Sequence, residues 1–203
     1  MKKLRNAGIA AIASLIFSII SFARIIIKIA PHANNQEASI QAIAELSTPS
    51  YIIISLVMGV LIAIFLFQGF INLGKRFNNK LLITVGWALM ILLIANELIS
   101  NLPSLISPDF APNALNGIIF VILFSVFLFL LGISLTQIKQ KVKLAKSLGI
   151  LYIITSITFI IGMLVPNGPL FIGFLIAIGL LALFIGLVVA TLMFLKASKQ
   201  FEK

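Results

Sequence analysis

The sequence predicts an all-α integral membrane protein that crosses the bilayer six times and forms a single domain over residues 1–203. The first reason is composition: 61% of the residues are hydrophobic and 10% are charged, whereas about a quarter are charged in a typical soluble domain. The second reason is that the apolar residues are gathered in six long segments. The third is that basic residues flank those segments at alternate ends, as in the cytoplasmic loops of membrane proteins.

Each of the six segments approaches the roughly 20 apolar residues that a membrane-crossing helix needs. The predicted spans are Ala7–Ala30, Tyr51–Leu73, Leu81–Asn101, Ala114–Thr136, Ser147–Val165 and Leu170–Leu195. The first is longer than the apolar region of a signal peptide, about 7–15 residues, so we expect it to be a retained span. The prolines and glycine of Pro166–Pro169 favour a tight turn between the last two spans.

The positive charge predicts the orientation of these spans. Thirteen of the fifteen Lys and Arg residues lie at the N-terminus, between spans two and three, between spans four and five, and in the C-terminal tail. The three intervening loops carry no Lys or Arg. Because these residues are retained on the cytoplasmic side, both termini are predicted to be cytoplasmic. The same retention explains the net charge of +10 without nucleic acid, since the sequence has no basic face or recognition module.

Repeated spacings predict that the spans form three consecutive helical hairpins. Phe-Leu-Phe occurs at residues 65–67 and again at residues 127–129, followed each time by Ile and Leu at the same distances. Lys-Leu at residues 80–81 and again at residues 143–144 precedes a glycine by the same distance. The offset matches one pair of spans, as expected for repeated hairpins.

The first outer loop has a helical pattern of its own. Asn34 to Glu37 supply a cap and a first-turn carboxylate, and Ile40, Ile43 and Leu46 recur at helical spacing. We predict a short amphipathic helix over Gln36–Leu46 on the outer surface. A loop packed over the bundle is the alternative that these residues leave open.

Charged and amide side chains near the outer ends of spans one and three are the candidate site. Arg24 and Lys28 share a helix face, and Glu97 lies about as deep in span three as Arg24 does in span one. Asn96 and Asn101 would complete a polar cluster. Three interpretations stay open: both cations extend to lipid headgroups, Arg24 forms an ion pair with Glu97, or the cluster binds an anionic solute or lipid.

Catalytic and metal chemistry find no support in the sequence. It contains no cysteine, one histidine, no Walker loop, no HExxH or GxSxG motif and no paired carboxylates within the spans. We therefore expect no enzyme activity, no cofactor and no metal site.

Two resemblances bear on function. The Lys3–Asn6 start, the glycine after each inner entry, the stretch Lys141–Tyr152 and the last hairpin ending at Lys196–Lys199 resemble small archaeal multi-pass membrane proteins of uncharacterised function. This resemblance implies the plasma membrane of a prokaryote. The six spans, the structured outer loop and the Ala7/Ala11 pair are similar to the substrate-binding subunits of energy-coupling-factor transporters, which implies contact between span one and a coupling subunit.

These observations leave two functions. Small residues at four-residue spacing, such as Gly59 and Ala63, let helices approach closely in lipid. We therefore expect a non-catalytic membrane subunit or scaffold that packs against other membrane subunits or against itself. The alternative is a solute-binding or transport subunit, with an anion or small-solute site near the outer ends of spans one and three.

Overall fold

The computed structural model describes residues 2–32, 48–106, 114–138, 142, 144–164 and 169–201. These residues form six long helices and a 3₁₀ turn after the first. The helices are α1 (Lys2–Ile29), α2 (Pro49–Arg76), α3 (Lys80–Ile106), α4 (Ala114–Gln137), α5 (Ala145–Leu164) and α6 (Pro169–Gln200). Each contains a stretch that is long and apolar enough to cross a membrane. The prediction of an all-α protein with six candidate spans is therefore confirmed. The predicted helix Gln36–Leu46 lies outside the described residues.

The helices are arranged as a ring. Each helix packs against its neighbours in the chain, and α1 packs against α6 to close the circle. Consecutive helices run in opposite directions where their contacts are described: Gly74 lies against Ile83 near the α2–α3 turn, while Gly59 lies against Glu97 far from it. Gly8 lies against Leu195, Gly69 against Ala7, and Asn79 donates a hydrogen bond to Gln137. These contacts bring the start of α1, the α2–α3 turn and the ends of α4 and α6 to the same side of the ring. We call this side the basic end because Lys2, Lys3, Lys75, Arg76, Lys80, Lys196 and Lys199 lie there.

The helix ends follow local rules of capping and charge. Thr48 is the N-cap of α2, since its hydroxyl accepts a hydrogen bond from the backbone N–H of Tyr51 at 3.4 Å, and Pro49 occupies the first turn. At the other end of α2, Lys75 and Arg76 lie in the last turn, where positive charge is favoured by the helix dipole. Pro169 begins α6 in the same way that Pro49 begins α2.

Several helices extend beyond their predicted spans, and α1 begins at Lys2 instead of Ala7. The third span was predicted to end at Asn101, yet α3 continues through Pro103 to Ile106. A proline removes one backbone hydrogen bond, and near the end of a helix this loss does not stop the final turn. Likewise, α6 continues beyond Leu195 to Gln200 and includes residues that were expected to form the tail.

The basic half of the bundle is closely packed. Phe70 is fully buried and its ring contacts those of Phe67, Phe194 and Tyr152, with centroids 5.9, 4.9 and 6.3 Å away. Around this aromatic cluster the helices touch through glycines, because a Cβ added at Gly69 would lie 2.8 Å from Phe194 Cε1. The cluster therefore fills the centre of the ring on its basic side.

The first helix is packed in its first half only. Leu4, Ala7, Gly8, Ala10 and Ala11 are all buried. From Ile16 to Lys28, every residue is exposed except Phe17, Ser21 and Arg24. These three side chains form one narrow stripe that faces Tyr51 on α2. Tyr51 is thus a shared contact of all three side chains.

Candidate functional site

A cavity of ≈ 250 Å³ lies inside the ring, and all six helices contribute residues to its lining. Leucine and phenylalanine dominate the lining, with Ser14 and Ser55 adding hydroxyl groups and Glu97 a carboxylate. Phe67 and Tyr152 from the aromatic cluster form its boundary toward the basic end. The cavity therefore extends from the centre of the bundle toward the end opposite the basic one.

Glu97 is placed in this cavity by an opposing glycine. Gly59 on α2 faces Glu97 on α3, and a Cβ added at Gly59 would lie 2.6 Å from Glu97 Cδ and 2.9 Å from its Oε1. Any larger residue at position 59 would require the Glu97 side chain to move from this position. Both residues line the cavity, so Gly59 allows an acidic group to lie where a packed helix pair would otherwise be closed.

Asn101 holds the Glu97 side chain from one turn further along α3. Its amide Nδ2 donates to Glu97 Oε2 at 2.9 Å and to the Glu97 backbone carbonyl at 3.0 Å. The predicted grouping of these two residues is therefore present in the structure. Asn96 is half-buried on the same helix, next in sequence to Glu97, but it does not line the cavity. No hydrogen bond to the other carboxylate oxygen, Oε1, is found within the described ranges.

Arg24 is part of a different contact. Its guanidinium carbon lies 4.0 Å from the centroid of the Tyr51 ring, an arrangement that is typical of a cation–π interaction. The Tyr51 hydroxyl is 2.9 Å from Ser21 Oγ, and the Tyr51 ring stacks on Phe17 with centroids 6.5 Å apart. Tyr51 therefore anchors α1 to α2 near the opposite end of the bundle.

The ion pair between Arg24 and Glu97, one of the three interpretations that the sequence leaves open, is not found among the described residues. Instead, Arg24 contacts Tyr51 and the Glu97 carboxylate contacts Asn101. The reason lies in the ring, since α2 packs between α1 and α3. Similar depth in two spans does not make residues neighbours when a third helix separates them. Lys28 follows Arg24 by one turn and is exposed at the end of α1.

Sequence reasoning missed most of the cavity. It assigned Gly59 and Ser14 to helix packing and gave no role to Ser55 or Phe124. One signal was present: Gly59 lies as many residues before Arg76 as Glu97 lies after Lys80, so a hairpin places the two at one level. A glycine at the same depth as a single carboxylate on the next span could therefore have indicated the contact between Gly59 and Glu97.

No protein-family model matches this chain, and neither a curated protein nor a solved structure matches it.

Proposed function

We propose that this protein is a membrane-embedded solute-binding or transport protein that holds a small solute in the central cavity. The observation that carries the proposal is a cavity to which all six helices contribute and which contains a carboxylate. Binding sites are typically concave and mostly apolar, with a few polar groups that orient the ligand. A volume of ≈ 250 Å³ is somewhat below the usual range for drug-sized ligands, about 300–1,000 Å³, so the solute is small.

The charge pattern supports a direction for this site. With the basic end on the cytoplasmic side of a prokaryotic plasma membrane, both termini are cytoplasmic and the cavity lies on the outer side of the aromatic cluster. Phe70 and Phe194 then separate the cavity from the cytoplasm. In this orientation the conformation described here receives its solute from outside or from the outer leaflet.

A matched pair of serines tests the proposal. Ser14 lines the cavity, whereas Ser18 is exposed one turn further along the same helix. Protein in lipid nanodiscs is dialysed against tritiated 2-phenylethanol, a small neutral apolar probe, and empty nanodiscs correct for partition into lipid. We expect saturable binding that Ser14→Phe reduces on the order of tenfold by filling the cavity, with Ser18→Phe unchanged. Absence of saturable binding to the wild type, or equal effects of the two variants, would contradict the proposal.

A second candidate is a non-catalytic subunit that packs against another membrane chain. The exposed second half of α1 favours it, because Ile19, Ile20, Ile26 and Ile27 present apolar surface around the helix. Native mass spectrometry of the same nanodiscs distinguishes the candidates. A stable oligomer without probe binding supports the subunit, whereas probe binding by the monomer supports the solute-binding protein.

A further inference from the structure

We infer that the solute is a protonated amine attached to an apolar body, with its ammonium group at Glu97. This inference rests on the proposed function, since it names the ligand class of the same cavity. The evidence for this inference is the placement of charge and of aromatic rings around the cavity.

Glu97 is the only acidic side chain in the part of the chain that the structure describes. It lies in a cavity whose described lining includes no Lys or Arg. A carboxylate away from water is costly within a membrane unless a positive charge or several donors compensate it. Asn101 supplies one donor to Oε2, and a carboxylate can accept about four hydrogen bonds. A ligand ammonium would supply the further hydrogen-bond donors and the positive charge that compensate the Glu97 carboxylate.

The lining also carries aromatic rings suited to a cation. Phe17, Phe67, Phe124 and Tyr152 contribute to the cavity from four different helices. The faces of such rings attract ammonium groups, and the attraction increases when water is excluded. Leucines complete the wall and provide surface for the apolar body of the ligand. An acidic group, several rings and an apolar wall are together what recognition of an apolar amine requires.

Other charged ligands fit this lining poorly. An anion would be repelled by Glu97, and the cation nearest in the first helix, Arg24, is engaged with the Tyr51 ring. A bare Ca²⁺ or Mg²⁺ ion needs about six oxygen ligands. Only four side chains of the described lining carry oxygen: Ser14, Ser55, Glu97 and Tyr152. They come from four separate helices, and the rest of the lining is apolar, so the cavity does not offer a metal coordination shell.

Three probes of similar size and different charge test the inference. They are 2-phenylethylamine, which is cationic at neutral pH, the neutral 2-phenylethanol, and the anionic 3-phenylpropanoate. Each is titrated in tritiated form by equilibrium dialysis into wild-type protein and into Glu97→Gln and Glu97→Asp, all in nanodiscs of neutral lipid. Size-exclusion profiles verify that each variant remains folded.

We expect the wild type to bind the amine on the order of tenfold more tightly than the alcohol, and the carboxylate more weakly than either. Glu97→Gln should bind the amine and the alcohol equally, while Glu97→Asp, which keeps the charge, should retain a preference for the amine.

The outcomes separate this inference from the proposed function. Equal binding of amine and alcohol by the wild type, or an amine preference that survives in Glu97→Gln, overturns the inference and leaves solute binding intact. Failure of all three probes to bind overturns both. Loss of folding in Glu97→Gln leaves the wild-type comparison among the three probes as the deciding measurement.

Discussion

The basic half of the bundle and the opposite half are packed differently. In the basic half, Phe70, Phe194 and the glycines bring six helices into contact around a filled centre. In the opposite half, the centre holds the cavity with Glu97, and α1 is attached through Tyr51. In lipid, hydrophobicity does not drive helices together, so fine packing and polar contacts decide where they meet. The basic half is therefore expected to provide stability and the opposite half binding.

The largest expected effect comes from emptying the aromatic cluster. Phe70→Ala removes a fully buried ring that contacts three others, which we expect to lower the free energy of unfolding by about 3 kcal/mol. The loss arises from missing van der Waals contacts, because lipid already surrounds apolar groups in the unfolded chain. Phe22→Ala is the control, since Phe22 is 65% exposed on the second half of α1.

Unfolding by SDS titration, followed by circular dichroism, measures both variants. If the two halves differ in stability as proposed, the free energy of unfolding of Phe22→Ala should stay within about 0.5 kcal/mol of the wild-type value. Equal losses for the two variants would show that the aromatic cluster is not a centre of stability.

Overfilling the same region tests the close helix contacts. Gly69 lies against Ala7 and Phe194, so the methyl group of Gly69→Ala would force these helices apart. We expect a loss of about 2 kcal/mol by the same titration. Gly117→Ala adds the same methyl group where nothing lies within 4 Å, and alanine favours the helix, so its effect should be zero or slightly stabilising. A neutral Gly69→Ala would mean that α1, α2 and α6 are not closely packed at this point.

The sequence predicted the helices well and their arrangement around the ring poorly. Apolar length and flanking lysines located every helix to within a few residues. Asn101 was expected to complete a polar cluster with Glu97, and the two side chains are hydrogen-bonded. The partner of Arg24 was not predictable in this way. Counting residues from the membrane surface gives depth, but it does not give direction around the ring. Helices such as α4 and α6 are apolar on all faces, so their sequences do not indicate which face points inward.

The smallest expected effect on stability concerns the two tyrosines. Tyr152 belongs to the aromatic cluster of the basic half, and Tyr51 lies in the opposite half. Tyr51 shares a hydrogen bond with Ser21 at 2.9 Å, while Tyr152 has no hydrogen-bond partner among the described residues. Tyr51→Phe keeps the ring beneath Arg24 and against Phe17, so only the hydrogen bond is removed. Interhelical hydrogen bonds in membranes average about 0.6 kcal/mol, which is the loss we expect for Tyr51→Phe. Tyr152→Phe should change stability by less than this.

A double-mutant cycle makes so small an effect measurable. The variants are Tyr51→Phe, Ser21→Ala and their combination, and the coupling energy isolates the contact between α1 and α2. A coupling near 0.6 kcal/mol means that the hydroxyl pair helps to hold the second half of α1 on the bundle. A coupling of zero means that the hydroxyl pair adds nothing to the stacked rings and the cation–π contact. The attachment of α1 bears on the proposed solute binding because Ser14 and Phe17 line the cavity. If Tyr51→Phe also weakens probe binding, the contact between Tyr51 and α1 positions the wall of the cavity as well as the helix.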